Sequence, residues 1–317
     1  MLLITGVAGF VGMHVCKRFL DAGYAVVGVD AVNSYYDVSL KRDRLKLLDH
    51  PNFKFYELDL VDSKSFNDVV RDNRVDVIIH LAAQAGVRYS IENPGAYRDS
   101  NLSGFLTVLE SCRTNSVSHL LYASSSSVYG ESKAGYFLES DFTDAPLSFY
   151  AATKKANELM AHSYAHLYGM ATTGLRFFSV YGEWGRPDMA YYKFAKKMIA
   201  NEVIDVYNNG DMWRDFTYID DVVESIFRLK EKGASAGAKV LNIGCGNPVR
   251  LGDMVSLLES YLRVPAKVNF LPKPEADVSF TAANVDALRE FVQYAPQVSL
   301  EVGLRRFVDW FDSYHVR

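Results

Sequence analysis

Three glycines, in the run Gly6-Val-Ala-Gly9-Phe-Val-Gly12, sit between the apolar tetrad Leu2-Leu-Ile-Thr5 and a helical pattern over 10–20. A buried strand, a glycine turn and a helix in that order leave few folds open, because this unit begins an α/β nucleotide-binding domain. Gly6 allows the tight turn, Gly9 lets the backbone approach a pyrophosphate, and Gly12 lets the helix pack close on the sheet. The helix N-terminus then faces the anion. The spacing is G-x-x-G-x-x-G rather than G-x-G-x-x-G, so the match to the general fingerprint is imperfect. A second strand, 25–29, ends in Asp30, about 20 residues after the glycines, where an acid meets the ribose hydroxyls of an adenosine. A carboxylate there repels a 2′-phosphate, so NAD is expected rather than NADP. The nearby Arg42 and Arg44 read as a solvated helical face.

Strand-like runs alternate with helical ones through the first half. Further strands are expected at 53–60, 75–82, 119–125 and 172–177, with helices at 65–73, 101–115 and 150–169. This βαβ rhythm predicts an α/β fold with a doubly wound parallel sheet and right-handed crossovers. After residue 178 the rhythm breaks. Gly182, Gly185 and Pro187 punctuate a loop, and a helix is expected at 190–200. A short strand at 216–219, a helix at 220–232 and a strand at 239–243 follow, and Pro265, Pro272 and Pro274 mark loops. The expected division is a dinucleotide domain over 1–178, which a segment near 216–246 rejoins, and a smaller, discontinuous α/β substrate domain over 179–317.

The 317 residues are 49% hydrophobic and 23% charged, enough for an ample core, and a net charge of −4 leaves no electrostatic footprint for nucleic acid. Cys16, Cys112 and Cys245 are few, scattered and odd in number, with no disulfide framework and no metal-ligand spacing. The first strand begins at residue 2, and no apolar run is long enough for a membrane. A cytoplasmic protein without membrane contact or metal is expected.

Tyr150 and Lys154 stand four residues apart in Ser148-Phe-Tyr-Ala-Ala-Thr-Lys-Lys. On a helix such positions share a face. The ammonium favours the phenolate and brings the tyrosine toward working pH, so that it can take a proton from a substrate hydroxyl while hydride leaves the same carbon. The bland reading, a chance pair on a solvated helix, loses ground once a dinucleotide loop opens the chain.

The glycine loop, Asp59, His80-Leu-Ala-Ala83, Asn101, the serine run 124–127 leading to Val128-Tyr-Gly130, and Tyr150-x-x-x-Lys154 together resemble the extended short-chain dehydrogenase/reductase family, which has a Rossmann sheet. Within it the chain is most similar to nucleotide-sugar 4-epimerases, and above all to the UDP-glucuronate branch. Asn33-Ser-Tyr-Tyr-Asp-Val-Ser-Leu-Lys41, Ala85-Gly-Val-Arg88-Tyr-Ser, Leu175-Arg-Phe-Phe-Ser-Val-Tyr-Gly182, Gly185-Arg-Pro-Asp-Met-Ala190 and Arg214-Asp-Phe-Thr-Tyr-Ile-Asp-Asp221 carry that likeness. The resemblance implies that Gly6, Gly9, Phe10, Val11, Gly12, Asp30, Asn33, Asp59, Leu60, Leu81, Ala82, Ala83, Asn101, Tyr150, Lys154 and Phe177 hold NAD, with Asp59 at the adenine. Tyr150 would be the base, Lys154 its partner and a ligand of the nicotinamide ribose, and Ser125 the third catalytic hydroxyl. Asn101 fits the family's structural asparagine and equally a helix N-cap. Two arginine-friendly anions, a pyrophosphate and a sugar carboxylate, would fall to Arg214, Arg186 and Arg88. Ser125, Ser126, Ser127, Ser179 and Asp277 complete the implied UDP-sugar contacts, and a homodimer through the helices at 101–115 and 150–169 is implied as well.

Some positions depart from the pattern. Ala31-Val32 replaces the usual Asn-Leu after the acid, which removes a ribose or adenine contact. Ser179 stands where threonine is common, and Pro274 where a galactose-type epimerase has arginine. The expected reaction is the interconversion of UDP-glucuronate and UDP-galacturonate through a 4-keto sugar. A UDP-glucose epimerase shares most of these motifs. Dehydratases and decarboxylases carry acids where Ser126 and Ser127 stand, and a nucleotide-sensing protein on this fold would have lost Tyr150 or Lys154.

Overall fold

The computed structural model describes residues 1–131, 135–274 and 277–315. In chain order the first elements are β1 (Leu2–Thr5), α1 (Phe10–Asp21), β2 (Val26–Asp30), α2 (Val38–Lys46), β3 (Phe53–Glu57), α3 (Ser63–Asp72) and β4 (Val77–His80). Two single turns, α4 (Tyr89–Glu92) and α5 (Pro94–Tyr97), lead through a π turn (Arg98–Ser103) into α6 (Gly104–Thr114). Then come β5 (His119–Ser125), a 3-10 turn (Ser126–Tyr129), α7 (Phe149–Tyr168), β6 (Thr172–Phe177), β7 (Ser179–Tyr181), α8 (Ala190–Ile199), β8 (Val203–Tyr207) and β9 (Trp213–Tyr218). The remainder is α9 (Ile219–Lys232), β10 (Ala238–Ile243), β11 (Pro248–Arg250), α10 (Leu251–Leu262), β12 (Lys267–Leu271), α11 (Asp286–Val292) and α12 (Leu300–His315).

The chain forms two compact units. One comprises Met1–Gly130, Phe142–Phe177 and Val223–Leu241; the other comprises Glu131–Asp141, Phe178–Val222 and Asn242–Arg317. The first is built on a seven-stranded sheet of order β10-β6-β5-β4-β1-β2-β3, and its pairs from β3 to β6 are parallel. This is the doubly wound Rossmann arrangement. Its inner strands are apolar along nearly their whole length because helices cover both faces. On one face Phe66 and Val70 of α3 and Phe105, Val108 and Leu109 of α6 pack with Leu3, Val27, Ile78 and Leu120 of the strands. Chain order reverses between β1 and β4, the place in such sheets where strand ends open to a ligand.

α7 starts where its sequence tells it to. The Ser148 hydroxyl accepts the N–H of Ala151 at 3.1 Å, which caps the helix and fixes its phase. Gly169, at φ +68°, ends it in the left-handed conformation that a glycine adopts freely.

In the second unit β9 pairs parallel with β7 and antiparallel with β11, and β8 pairs with β12. Asp215 of β9 is fully buried. Its carboxylate accepts the Thr217 hydroxyl and the N–H groups of Cys245, Gly246 and Ala283 at 2.9–3.0 Å, which ties three separate stretches together. The segment that returns to the first unit is Val223–Leu241, while β9 belongs to the three-stranded sheet of the second. The strands expected at 53–60 and 75–82 end early, at Glu57 and His80, and so leave Asp59, Leu60 and 81–83 on loops. Among the described residues no helix is long and apolar enough to cross a membrane.

Candidate active site

The glycine turn is compact enough to exclude side chains. Gly6 adopts φ +77° and donates its N–H to the Val29 carbonyl at 2.7 Å. A Cβ on Gly6 would come within 2.7 Å of the Ala82 nitrogen, and one on Gly12 within 2.0 Å of the Gly6 carbonyl oxygen. Gly9 occupies the N-cap of α1 and has no side chain to offer, so the first amides of that helix, at Phe10 and Val11, are presented to an anion. These features fit a dinucleotide pyrophosphate.

Asp30 lies at the end of β2. Its carboxylate accepts the N–H of Ala8 at 3.0 Å and of Val32 at 2.8 Å. Burial pushes its carboxyl above the ordinary range, opposed by the Val32 N–H, the Lys41 charge, the Ala8 N–H and the Arg44 charge. Val32 takes φ +46°, which a β-branched residue rarely adopts. Arg44 overturns one expectation: it is fully buried rather than part of a solvated face. It donates to the Ala8 carbonyl at 3.1 Å and to the Tyr36 hydroxyl at 2.6 Å. Only Arg42 behaves as expected, exposed and paired with Glu57 at 2.7 Å. Lys41, which motif reasoning did not assign, is buried and donates to both the carbonyl and the side-chain oxygen of Asn33 at 2.7 Å.

Asp59 is exposed after β3 and accepts the Val61 N–H at 3.1 Å, with Leu60 buried beside it. Leu81, Ala82 and Ala83 leave β4 half-buried. The N–H of Ala82 reaches the Thr5 hydroxyl at 3.1 Å, and that hydroxyl lies 2.8 Å from His80 Nδ1. Asn101 sits in the π turn, not at a helix cap. Its amide donates to the Gln84 carbonyl and the Thr153 hydroxyl, both at 3.0 Å, and accepts the Gln84 N–H at 2.8 Å.

Tyr150 and Lys154 lie one turn apart on α7. Lys154 is buried and donates to the Ala123 carbonyl of β5 at 2.9 Å. Desolvation lowers its pKa to about 8. Tyr150 meets the edge of the buried Tyr97 at 6.0 Å between ring centroids. The serines of the run 124–127 separate by geometry. Ser124 donates inward to Glu158 at 2.6 Å. Ser125, beside Phe177 of β6, accepts from both the N–H and the hydroxyl of Ser127, at 3.2 and 2.9 Å. Ser126 begins the 3-10 turn. Glu158 in turn holds Arg176 in a buried bidentate pair, with both contacts at 2.9 Å. No sequence motif announced that pair, although Glu158 stands one further helical turn beyond Lys154. Arg88 is exposed on the loop ahead of α4.

The remaining expected residues belong to the second unit. Ser179 opens β7 and is half-buried. Arg214 donates to Asp277 at 2.8 Å, which brings two separately expected residues together, and burial lowers the arginine pKa against that carboxylate. Arg186 makes a two-pronged contact with Asp188 at 3.0 and 2.7 Å. Glu275 and Ala276, inside the segment expected to meet the nucleotide ribose, lie outside the described residues.

The chain is similar along nearly its whole length to several known proteins. A probable UDP-glucuronate 4-epimerase of Rhizobium meliloti is 47% identical, covering 99% of this chain and 98% of that protein. UDP-glucuronate 4-epimerase 1 of Arabidopsis thaliana is 45% identical over 99% of this chain and 77% of its own length. The crystal structure of UDP-glucuronic acid 4-epimerase from Bacillus cereus, in complex with UDP-glucuronic acid and NAD, superposes with a TM-score of 0.94 at 32% identity, covering 99% of each chain. Residues 2–244 match the family pattern itself, and so the chain belongs to the NAD dependent epimerase/dehydratase family.

Proposed function

We propose that the protein interconverts UDP-glucuronate and UDP-galacturonate by inverting C4, using a bound NAD that is regenerated in every cycle. The observation that carries this reading is the placement of Tyr150 and Lys154 one turn apart at the capped start of α7, with the lysine buried. The turn around Gly6, Gly9 and Gly12 takes the pyrophosphate of the dinucleotide, and Asp30 takes the adenosine ribose. NAD, when bound, supplies reversible two-electron chemistry at C4. Tyr150 takes the proton of the 4-hydroxyl and returns it after the 4-keto sugar has turned over. Lys154 lends positive charge to that phenol, and Ser125 hydrogen-bonds the same oxygen. Arg214 and Asp277 read the nucleotide, while Arg88 and Arg186 are the arginines for the phosphates and the sugar carboxylate.

The turn after β5 favours epimerisation over elimination or decarboxylation. Ser126 and Ser127 place hydroxyls there, and Glu158 is committed to Arg176 and Ser124. With no acid in the turn Ser126–Tyr129, C5 keeps its hydrogen. Turnover of UDP-glucuronate in D₂O, monitored by NMR, is expected to give UDP-galacturonate without deuterium at C5, and faster conversion than UDP-glucose undergoes. A dominant UDP-pentose signal would place the protein on the decarboxylating branch.

A homodimer forms part of the same reading. α6 and α7 expose Leu106, Leu159, Leu167 and Tyr168 on their outer faces. Sedimentation is expected to show a dimer that Leu159→Lys with Leu167→Lys dissociates.

A further inference from the structure

In two stretches of sequence, Asn33-Ser-Tyr-Tyr-Asp37 and Ala85-Gly-Val-Arg-Tyr89, the tyrosines Tyr35, Tyr36 and Tyr89 have no part in the reaction. The sheet places the two stretches opposite each other. β2 and β4 are the two neighbours of β1, so the loops leaving their C-terminal ends flank the glycine turn that succeeds β1. Tyr35 of the first loop and Tyr89, which opens α4, meet with ring centroids 4.9 Å apart and planes inclined by 47°. The two loops therefore touch across the turn between them.

Both ends of this bridge are anchored inside the protein. At the β2 end Lys41 grips Asn33 twice, and Arg44 ties Tyr36 to Ala8 of the glycine turn itself. The Tyr36 ring lies 4.6 Å from the Lys41 ammonium and 5.4 Å from the Arg44 guanidinium, within cation–π range. At the β4 end Tyr89 packs on Tyr97 at 6.1 Å. Tyr97 is fully buried, donates to the carbonyls of Ala85 and Gly86, and touches Tyr150. A row of four tyrosines thus runs from the loop beside Asp30 to the proposed base.

We propose that the Tyr35–Tyr89 bridge is a strap that retains the dinucleotide through repeated turnovers, with Lys41 and Arg44 as the positioning residues that hold it down. This rests on the reading that the turn holds NAD. A reaction that returns its cofactor unchanged gains nothing by exchanging it, and loss of the reduced form in mid-cycle strands a keto sugar. A dinucleotide lying along the ends of β4, β1 and β2 leaves only after the two rings part. The strap is thus a determinant of release rate rather than of chemistry.

The test is the release of NADH, tracked by its fluorescence when loaded protein is mixed with excess NAD⁺. Tyr35→Ala is expected to speed release about tenfold, the scale of losing one aromatic pair together with its buried area. Tyr35→Phe keeps the ring and is expected to release as the wild type does. Tyr89→Ala is expected to act in the same direction, and the double variant to be no faster than the faster single one, because only one contact is lost. Release from Tyr35→Ala within twofold of wild type, or single effects that multiply in the double variant, overturns the strap while leaving NAD binding intact. A wild-type protein that takes up no NADH overturns the cofactor reading, and the strap with it. Circular dichroism melting of each variant separates a faster release from a lost fold.

Discussion

Lys154 has to carry its charge where water hardly reaches. Its side chain is 2% exposed, and its ammonium has the Ala123 carbonyl as a partner. A lysine whose pKa falls to about 8 in the fold and stays near 10.5 when unfolded binds fewer protons folded than unfolded between those two values. Stability therefore rises with pH across that window, and the penalty is present in full below it. Wild-type protein is expected to show this rise in urea titrations between about pH 8 and pH 10.5. Lys154→Met should lack it, lose turnover, and melt no lower than wild type at pH 7. Tyr150→Phe is expected to reduce kcat by about two to four orders of magnitude, the usual contribution of a general acid–base group. NADH titration should show its cofactor binding unchanged. The dyad is legible in the sequence because a spacing of four implies one helical face. Arg44 is not, because α2 turns Leu40, Lys41 and Arg44 inward, and a buried face that is two-thirds cationic has the composition of a solvated one.

At the scale of the element, the glycine turn depends on contact distances that only a missing Cβ permits. Gly12→Ala would bring a methyl to 2.0 Å from the Gly6 oxygen and force α1 away from β1. The expected cost is roughly 1–3 kcal/mol, as for other overpacked sites, together with loss of NADH binding in calorimetry. Gly252→Ala in α10 meets nothing nearer than 3.7 Å. There the better helix propensity of alanine should raise stability by up to about 1 kcal/mol. The strands and helices up to β6 are readable because apolar runs, glycines and caps agree with one another. The pairing of β8 with β12 is not, since it joins Val203 to Lys267 across the intervening chain and both strands are short. α12 is legible in principle: Leu300, Leu304, Phe307, Val308 and Phe311 stand at helical spacing and are buried. The prolines ahead of it hide where regular structure resumes.

For the molecule as a whole, three histidines that burial holds neutral weaken the fold in acid: His14, whose pKa is lowered to about 4, and two more deeply covered ones. His80 and His119 are almost completely buried, and desolvation lowers their pKa values to about 3 and about 4, with the Lys154 charge adding to the effect at His80. Both are neutral in the folded chain and take protons on unfolding once the pH drops below their ordinary value of 6.5. Their contribution is complete above that pH and is lost as pH falls toward 4. The slope approaches about 1.4 kcal/mol per pH unit for each proton taken up. Urea unfolding at pH 7 and pH 5 is expected to show the loss, and His119→Gln to reduce it. What the sequence cannot reveal at this scale is which unit a segment joins. Glu131–Asp141 leaves the first unit between β5 and α7 without any change of composition to mark it. The first unit is completed only when Val223–Leu241 returns, so β6 has no outer neighbour until β10 has been made. On a ribosome adding roughly 5–20 residues per second, the stretch from residue 177 to residue 238 takes on the order of 3–12 s. For that interval the nascent chain displays an open strand edge, the surface on which chains stick to one another. Whatever shields growing polypeptides in the cell is therefore needed most in the middle of this protein's synthesis, before its final quarter exists.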